Sequence, residues 1–532
     1  MASHEKILTK NLEVWSSSTK AKATSGRAGN KKLELYGLKK LRELILQLAV
    51  SGKLIPRESK WNGAKFEEIF DFQGGGQPPK SQFISEPRDG YIRLFQIRDF
   101  GENPMPTYIP KEGVRNFCDE NDILIGRYGA SVGKIFKGKE GTYNVALVKL
   151  IWSAESFDQE FLMTWLKGKA FQNRLTGISR SAQAGFNKRD LASIHIQYPN
   201  LPEQKRIIEK VKKLMTLCDK LDLEQESHLK THEAMLSTLL KGLTSNLADA
   251  CQFEEYWKLI QDNFDVLFTT ERSIEHLEQT ILKLAVMGKL IQQESGDEPA
   301  EVLFKKIREK KGKLIEKGLL KKQKQLPHLE KEKPYQIPEN WKWVRLNDAF
   351  DIRDGTHDSP QDAIGDNTYP LVTTKDFKNG KIDFTGAKRI SSEDHFKICE
   401  RSNVEVNDIL FSMIGSIGNQ VIVEDPRPFS IKNVALFKYY SQEFTVPKFL
   451  KIYTEELAFG LKQKASGAVQ PFISLGFLRN LPFALPPTAE QHRIVAKVDE
   501  LMTLCEKLKA SIASKEAKQL NLADSLIDKV LR

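Results

Sequence analysis

One stretch of this chain occurs twice, and the repetition governs what the rest can be. Glu203-Gln204-Lys205-Arg206-Ile207 runs on through Leu214-Met215-Thr216-Leu217-Cys218 to Leu221, and Glu490-Gln491-His492-Arg493-Ile494 runs on through Leu501-Met502-Thr503-Leu504-Cys505 to Leu508. Ile207, Val211, Leu214, Cys218 and Leu221 step by four and three, as do Ile494, Val498, Leu501, Cys505, Leu508 and Ile512. Each copy is therefore predicted to be a helix with an apolar seam of coiled-coil spacing. Upstream, Leu41-Arg42-Glu43-Leu44-Ile45-Leu46-Gln47-Leu48-Ala49-Val50 with Gly52-Lys53-Leu54 returns as Leu277-Glu278-Gln279-Thr280-Ile281-Leu282-Lys283-Leu284-Ala285-Val286 with Gly288-Lys289-Leu290. Gly52 stands where a helix C-terminal cap is expected. Asn11-Leu12-Glu13-Val14 is echoed by Asn263-Phe264-Asp265-Val266, so the repeated unit is a whole half-chain.

Each pair of repeated helices encloses a stretch with a different grammar. From Trp61 to about Pro199, short apolar runs such as Ile92–Ile97, Asp122–Ile125 and Val145–Val148 are separated by Gly and Pro, which predicts strands and turns, with a helix over Phe161–Leu175. The same pattern returns between Trp341 and about Leu485. Asn121-Asp122-Ile123-Leu124 matches Asn407-Asp408-Ile409-Leu410, and Asn144-Val145-Ala146-Leu147 matches Asn433-Val434-Ala435-Leu436, while the residues between these anchors diverge. The chain is divided accordingly: 1–60, a helical region with a mobile basic loop from Ser16 to Lys32; 61–200, a first mixed α/β domain; 201–334, a helical spacer with a Lys-rich helix; 335–486, a second mixed α/β domain; 487–532, the second long helix. The fold class is α+β, two strand-rich mixed domains alternating with long helices in an internal pseudo-two-fold repeat. The Lys-rich stretch, Glu301 to Lys333, includes Lys305, Lys306, Lys310, Lys311, Lys313, Lys317, Lys321, Lys322 and Lys324; it is a solvated face, or a contact with phosphates or a partner.

Composition narrows the function. A net charge of +11 suits a polyanionic partner. The five cysteines are scattered and never form a CxxC pair, against a disulfide framework or zinc ribbon. No long uncharged apolar run or signal peptide is present, which predicts a soluble cytoplasmic protein without a membrane partner. Gly129-Ala130-Ser131-Val132-Gly133-Lys134 resembles a phosphate-binding loop, but it is one residue short and Ile135 stands where Ser or Thr would hold magnesium. It reads better as a tight turn bringing backbone close to something, DNA phosphate being one candidate. His228 and His232 are four apart, yet Lys515 and Gln519 occupy the matching positions of the second copy, so a polar break in the seam explains them better than a metal. No AdoMet, helicase or nuclease motif can be found. The chain binds and positions; no catalytic residue and no metal ligand is assigned.

Two divergent globular domains alternating with two near-identical helical regions resemble the specificity subunit of type I restriction-modification enzymes. The most specific parts are Leu201-Pro202-Glu203-Gln204 then Ile207, and Pro486-Pro487 with Glu490-Gln491 then Ile494. The loop Gly355-Thr356-His357-Asp358-Ser359-Pro360 is similar to the opening of the family's recognition domains, whereas Gly74-Gly75-Gly76-Gln77-Pro78-Pro79 departs from it. The resemblance implies two target recognition domains, each reading half of an interrupted, asymmetric site in double-stranded DNA. It also implies that the helices dock two modification (methyltransferase) subunits holding AdoMet, joined by restriction subunits using ATP and Mg, with no cofactor on this chain. A helix of about forty residues spans about 60 Å, and two such helices packed as an antiparallel coiled coil hold two readers apart. A stand-alone regulator with duplicated DNA-binding domains is the alternative; a fused methyltransferase or nuclease lacks its motifs.

Candidate base readers follow from loop position, since Gln and Arg pair with adenine and guanine edges. They are Gln73, Gln77, Lys80, Arg93, Gln96, Arg98, Arg127 and Tyr128 in the first domain, and Arg353, Thr356, His357, Asp358, Thr374, Lys375 and Ser412 in the second. Lys134, Arg180, Lys188 and Lys432 are candidates for phosphate.

Overall fold

The computed structural model describes residues 10–22, 32–175, 185–245, 250–321, 329, 333–414, 417–444, 446–465 and 473–531. The chain folds as two units, Met1–Lys230 with Ser514–Arg532, and Thr231–Ala513.

In the first unit, helix Tyr36–Val50 ends in a Schellman cap: Gly52 adopts φ +66°, and the Lys53 amide donates to the Leu48 carbonyl at 3.0 Å. A side chain at Gly52 would also strike the Trp61 ring, its Cβ lying 2.8 Å from that ring. The second unit repeats the device at the end of helix Glu271–Val286, where Gly288 has φ +70° and an added Cβ would lie 3.0 Å from the Trp341 ring. The faint echo at Asn11 is structural too, opening the short helices Leu12–Ser17 and Phe264–Leu267.

Both globular domains are built on one topology. The first has an antiparallel sheet ordered Asp71–Gly74, Leu147–Ile151, Ile123–Gly126, Ile135–Lys137; the second has Phe350–Asp354, Val434–Tyr439, Ile409–Ser412, Gln420–Ile422. A second sheet in each centres on a parallel pair, Tyr91–Phe95 with Gly141–Tyr143 and Thr368–Val372 with Ser430–Ile431. An antiparallel pair then fastens the start of each domain to its end, Asn62–Lys65 with His195–Tyr198 and Lys342–Arg345 with Pro482–Leu485.

The long helices run from Leu201–Leu243 and Thr488–Leu531. Ile207, Val211, Leu214 and Cys218 are buried and Leu221 half-buried, in a core with Leu41, Leu44 and Leu48 and with Ala523, Ile527 and Val530 from the end of the other long helix. In the second unit, Ile494, Val498 and Cys505 are buried and Leu501 and Leu508 half-buried, sharing a core with Leu236, Leu239, Leu240 and Leu243. Within each unit the start of one long helix therefore meets the core that holds the end of the other, an antiparallel relation. The polar positions in the seam also have work: His232 Nε2 lies 2.9 Å from the Val266 carbonyl, and Gln519 donates to Ser17 Oγ at 3.2 Å, so each pins the short helix of its own unit.

The Glu-Gln pair that opens each long helix is a buried latch. Glu203 accepts from Ser59 N at 2.9 Å, Ser59 Oγ at 2.7 Å and Trp61 Nε1 at 3.1 Å, while Gln204 donates to the Ser156 and Pro199 carbonyls and accepts from Asp158 N. Burial pushes the Glu203 carboxyl up, but the donors from Ser59, Trp61 and Glu58 outweigh it and hold the group below its usual range. Glu490 accepts from Gln293 at 2.8 Å, while its Oε2 and the nearby Trp341 Nε1 fall short of hydrogen-bond geometry. Burial therefore prevails and raises its carboxyl, with Trp341 and Gln293 opposing. Glu203→Gln is expected to cost about 1–3 kcal/mol because donors lose a charged acceptor, and Glu490→Gln clearly less. The signs of their pH dependence are opposite. The Glu203 contribution is present above the ordinary carboxylate range and lost on acidification, whereas ionised Glu490 weakens the fold as pH rises through its raised value. Melting curves of both variants between pH 4 and 8 check this; equal losses at every pH would contradict it.

Four expectations are corrected. The helix over Phe161–Leu175 is two, Gln159–Lys167 and Lys169–Leu175, because Gly168 is extended between them. The Lys-rich helix is Ala300–Glu316, stopped by Gly318 at φ +70°; Lys322 and Lys324 lie outside the described residues. The basic loop has ordered ends, Lys20–Lys22 pairing with Lys32–Glu34, while 23–31 lie outside the described residues. The tetrapeptide match is out of register: Leu147 faces Gly126 and Val434 faces Ser412, each three residues beyond Ile123 and Ile409, so Leu147 corresponds to Val434 and not to Leu436.

Candidate nucleic-acid interface

The parallel strand pair of each domain delivers loops to one end of its sheet. Beyond Phe95↔Tyr143 and Val372↔Ile431, the Asn144 and Lys432 amides each donate at 3.0 Å to the Phe95 and Val372 carbonyls. Asn144 then bridges Gly76, and Lys432 bridges Thr356. A side chain at Gly75 or Gly355 would sit 2.1 Å from the Asn144 carbonyl oxygen or 2.2 Å from that of Ile431, so the two loops cross only because glycine stands there. After the first parallel strand comes a capped turn in both domains. Gln96 N donates to Asp99 Oδ2 at 2.8 Å and Thr373 N to Asp376 Oδ2 at 2.7 Å.

In the second domain these loops enclose a surface groove of about 590 Å³, lined by Ser359, Leu371, Thr373, Thr374, Lys375, Lys388, Ile414, Lys432 and Asn433. Three sequence candidates, Thr374, Lys375 and Lys432, meet there. Ser412 is fully buried beneath, 3.1 Å from Thr374 Oγ1. The loop after Asp354 is braced by its own side chains: His357 lies 3.0 Å from Asn433 Oδ1 and 3.1 Å from Asp354 Oδ2, and Arg401 Nε donates to Asp354 at 2.8 Å. Thr356 is buried and accepts from the Asp358 amide, Lys432 donates to Ser359, and Asp358 itself is exposed. Arg353 pairs with Asp351 at 2.7 Å. Lys388 reaches the groove through its strand pairing with Leu371, a placement that loop polarity in the sequence does not reveal.

The first domain presents Arg98, exposed, with Nη2 3.3 Å from Thr107 Oγ1, and Gln96, whose Nε2 is 3.4 Å from the same oxygen. Arg93 is held inside, pairing with Asp99 at 2.9 Å and donating to the Thr107 carbonyl at 3.0 Å. Gln73 faces Lys149 in the sheet and its carbonyl accepts from the Tyr143 hydroxyl. Gln77, Lys80 and Lys134 are exposed. Arg127 donates to the Phe186 carbonyl and lies over the Tyr128 ring, while Tyr128 bridges Gly185. Lys188 pairs with Asp71 at 3.2 Å. Arg180 lies outside the described residues. The glycine-rich turn Gly129–Ser131 joins two strands of a hairpin, and what its backbone approaches is the chain itself, Gln172 donating to the Gly133 carbonyl at 2.9 Å.

Among the described residues no group of three His, Cys, Asp or Glu is placed to hold a metal, and no helix is long and apolar enough to cross a membrane. The groove brings donors, acceptors and cations together on loops carried by the sheets.

The sequence model described as the type I restriction modification DNA specificity domain matches residues 58–230 and 338–515. The type I restriction enzyme EcoAI specificity subunit of Escherichia coli is 31% identical over 98% of this chain and 99% of its own length. The EcoEI specificity subunit of the same organism is 29% identical over 99% of each. A solved HsdS subunit from Thermoanaerobacter tengcongensis aligns with 89% of this chain and 98% of that one at 18% identity, with a TM-score of 0.40. With the family model matched in both halves and a relative aligned along nearly the whole chain, this protein belongs to the specificity subunits of type I restriction-modification enzymes, which are non-catalytic.

Proposed function

We propose that this chain reads a two-part, asymmetric sequence in double-stranded DNA, one half with each globular domain. The two long helices hold the readers at a set spacing and dock two modification subunits. AdoMet then belongs to those subunits, ATP and Mg to the restriction subunits, and the assembly works in the cytoplasm. The observation that carries the reading is that one loop scaffold is built twice and furnished with different side chains, as two readers of different half-sites require. The net charge of +11 is consistent with a DNA partner.

Co-purification with the modification subunit tests the docking. Light scattering behind a sizing column should give two modification subunits per chain, and a chain that stays alone while binding its DNA specifically would favour a free-standing regulator. Within the first domain, Arg98→Ala is expected to weaken binding to the cognate half-site about tenfold or more, with little change on scrambled DNA. Lys134→Gln should instead weaken both alike and lower the salt slope by about one. Binding titrations at several salt concentrations separate the two; an equal loss on both DNAs for Arg98→Ala would remove its base-reading role.

A further inference from the structure

The internal repeat lets the two readers be compared position by position. Phe95 and Val372 are equivalent by their parallel pairing, and the matching capped turns make Arg98 equivalent to Lys375. The neighbouring strand pairs Arg93 with Tyr108 and Pro370 with Arg389, so Thr107 is equivalent to Lys388. Asn144 and Lys432 share the crossing described above. At three positions on one scaffold, then, the first domain carries Arg, Thr and Asn where the second carries Lys, Lys and Lys. The surroundings differ to match. Thr107 is buried and ties Arg98 into place, whereas Lys388 reaches the exposed Asp362 at 2.9 Å and Lys375 has no partner among the described residues.

We propose that these three positions, 98/375, 107/388 and 144/432, are where the two domains acquire different half-site preferences. The second groove, where three ammonium groups that only donate converge, favours an acceptor-rich target, the N7 and O6 edge of guanine. The equivalent surface of the first domain, with the Arg98 guanidinium held by Thr107 beside the Asn144 amide, which both donates and accepts, reads a mixed edge. Scaffold residues such as Asp99 and Asp376, alike in both domains, carry no such information. The inference rests on the proposed reading of DNA by both domains.

The test exchanges the lysines in the complete complex. K388T/K432N and, separately, R98K/N144K chains are each expressed with the modification subunit, and the methylated motif is read by modified-base sequencing beside the parent chain. The parent alone must yield a two-part motif; its absence there counts against the DNA-reading function and not against these positions. Given that motif, K388T/K432N should change or relax the base preference of one half-site, with the other half and the gap intact, and R98K/N144K should do the same to the opposite half. If binding falls so far that no methylation is seen, titrations on DNA substituted one base pair at a time replace it, with a tenfold or greater loss of discrimination expected at one or two positions of a single half-site. Unchanged motifs, or a uniform loss on all sequences that disappears at high salt, would overturn the proposal, the latter placing the lysines on phosphate alone. Arg98→Lys by itself, at an exposed side chain, keeps the test available if a double variant fails to assemble.

Discussion

A chain with four residues inserted between Glu224 and Leu229, and four more at the matching place in Thr488–Leu531, is expected to methylate a motif with the same two halves and a longer gap. Helix Leu201–Leu243 contributes residues to both units, changing at Lys230, and Thr488–Leu531 does so at Ala513. Four residues add about 6 Å of helix, against about 3.4 Å per base pair, so the gap should lengthen by one or two base pairs. The region tolerates insertion because its side chains are mostly exposed: Leu223 is 68% accessible, and none of residues 219–235 is buried. Native sites should lose methylation almost completely, since both half-sites must be met at once. Sequencing the methylated motif decides the matter, and an altered half-site with an unchanged gap would refute the spacer.

Lys438→Met is expected to destabilise the second unit by about 3–5 kcal/mol at neutral pH. Lys438 donates to Asp408 Oδ2, Glu405 Oε2 and the Asn403 carbonyl, each at 2.8 Å, and Asp408 is 1% accessible. Burial pushes the Asp408 carboxyl up to about 6 even though Lys438 pulls it down. Removing the lysine leaves a buried carboxylate without its cation. The sign follows from the raised value: the folded state takes up the proton more readily than the unfolded state, so the penalty grows as pH rises through about 6 and shrinks as the acid neutralises below it. Denaturant unfolding at pH 5 and pH 7.5 should show the larger deficit at pH 7.5. Adding Asp408→Asn, which keeps an acceptor for the Glu405 amide, should recover much of it. A pH-independent deficit would mean that lost packing, not the stranded charge, is responsible.

The helical frame was legible because its signals are local and repeated. The seam steps, the caps at Gly52 and Gly288 and even the echo at Asn11 correspond to elements of the structure. What stayed hidden depends on register across strands. Matching Leu147 to Leu436 by letters alone missed a two-residue offset that only the pairing of Leu147 with Gly126 and Val434 with Ser412 exposes. Lys388 sits on a strand edge with no motif around it and enters the groove through its pairing with Leu371. The Glu-Gln latch was visible as a motif without its reason, because the partners of Glu203 come from Ser59 and Trp61, far away in the chain. Loop polarity alone likewise could not distinguish Arg98, which is exposed, from Arg93, which is held by Asp99.

The most direct measurement is modified-base sequencing of DNA from cells expressing this chain with its modification subunit, beside cells lacking only this chain. A methylated motif of two unequal halves with a fixed gap, gone when the chain is removed, is the predicted result. A continuous motif, or methylation that persists without the chain, would contradict the account.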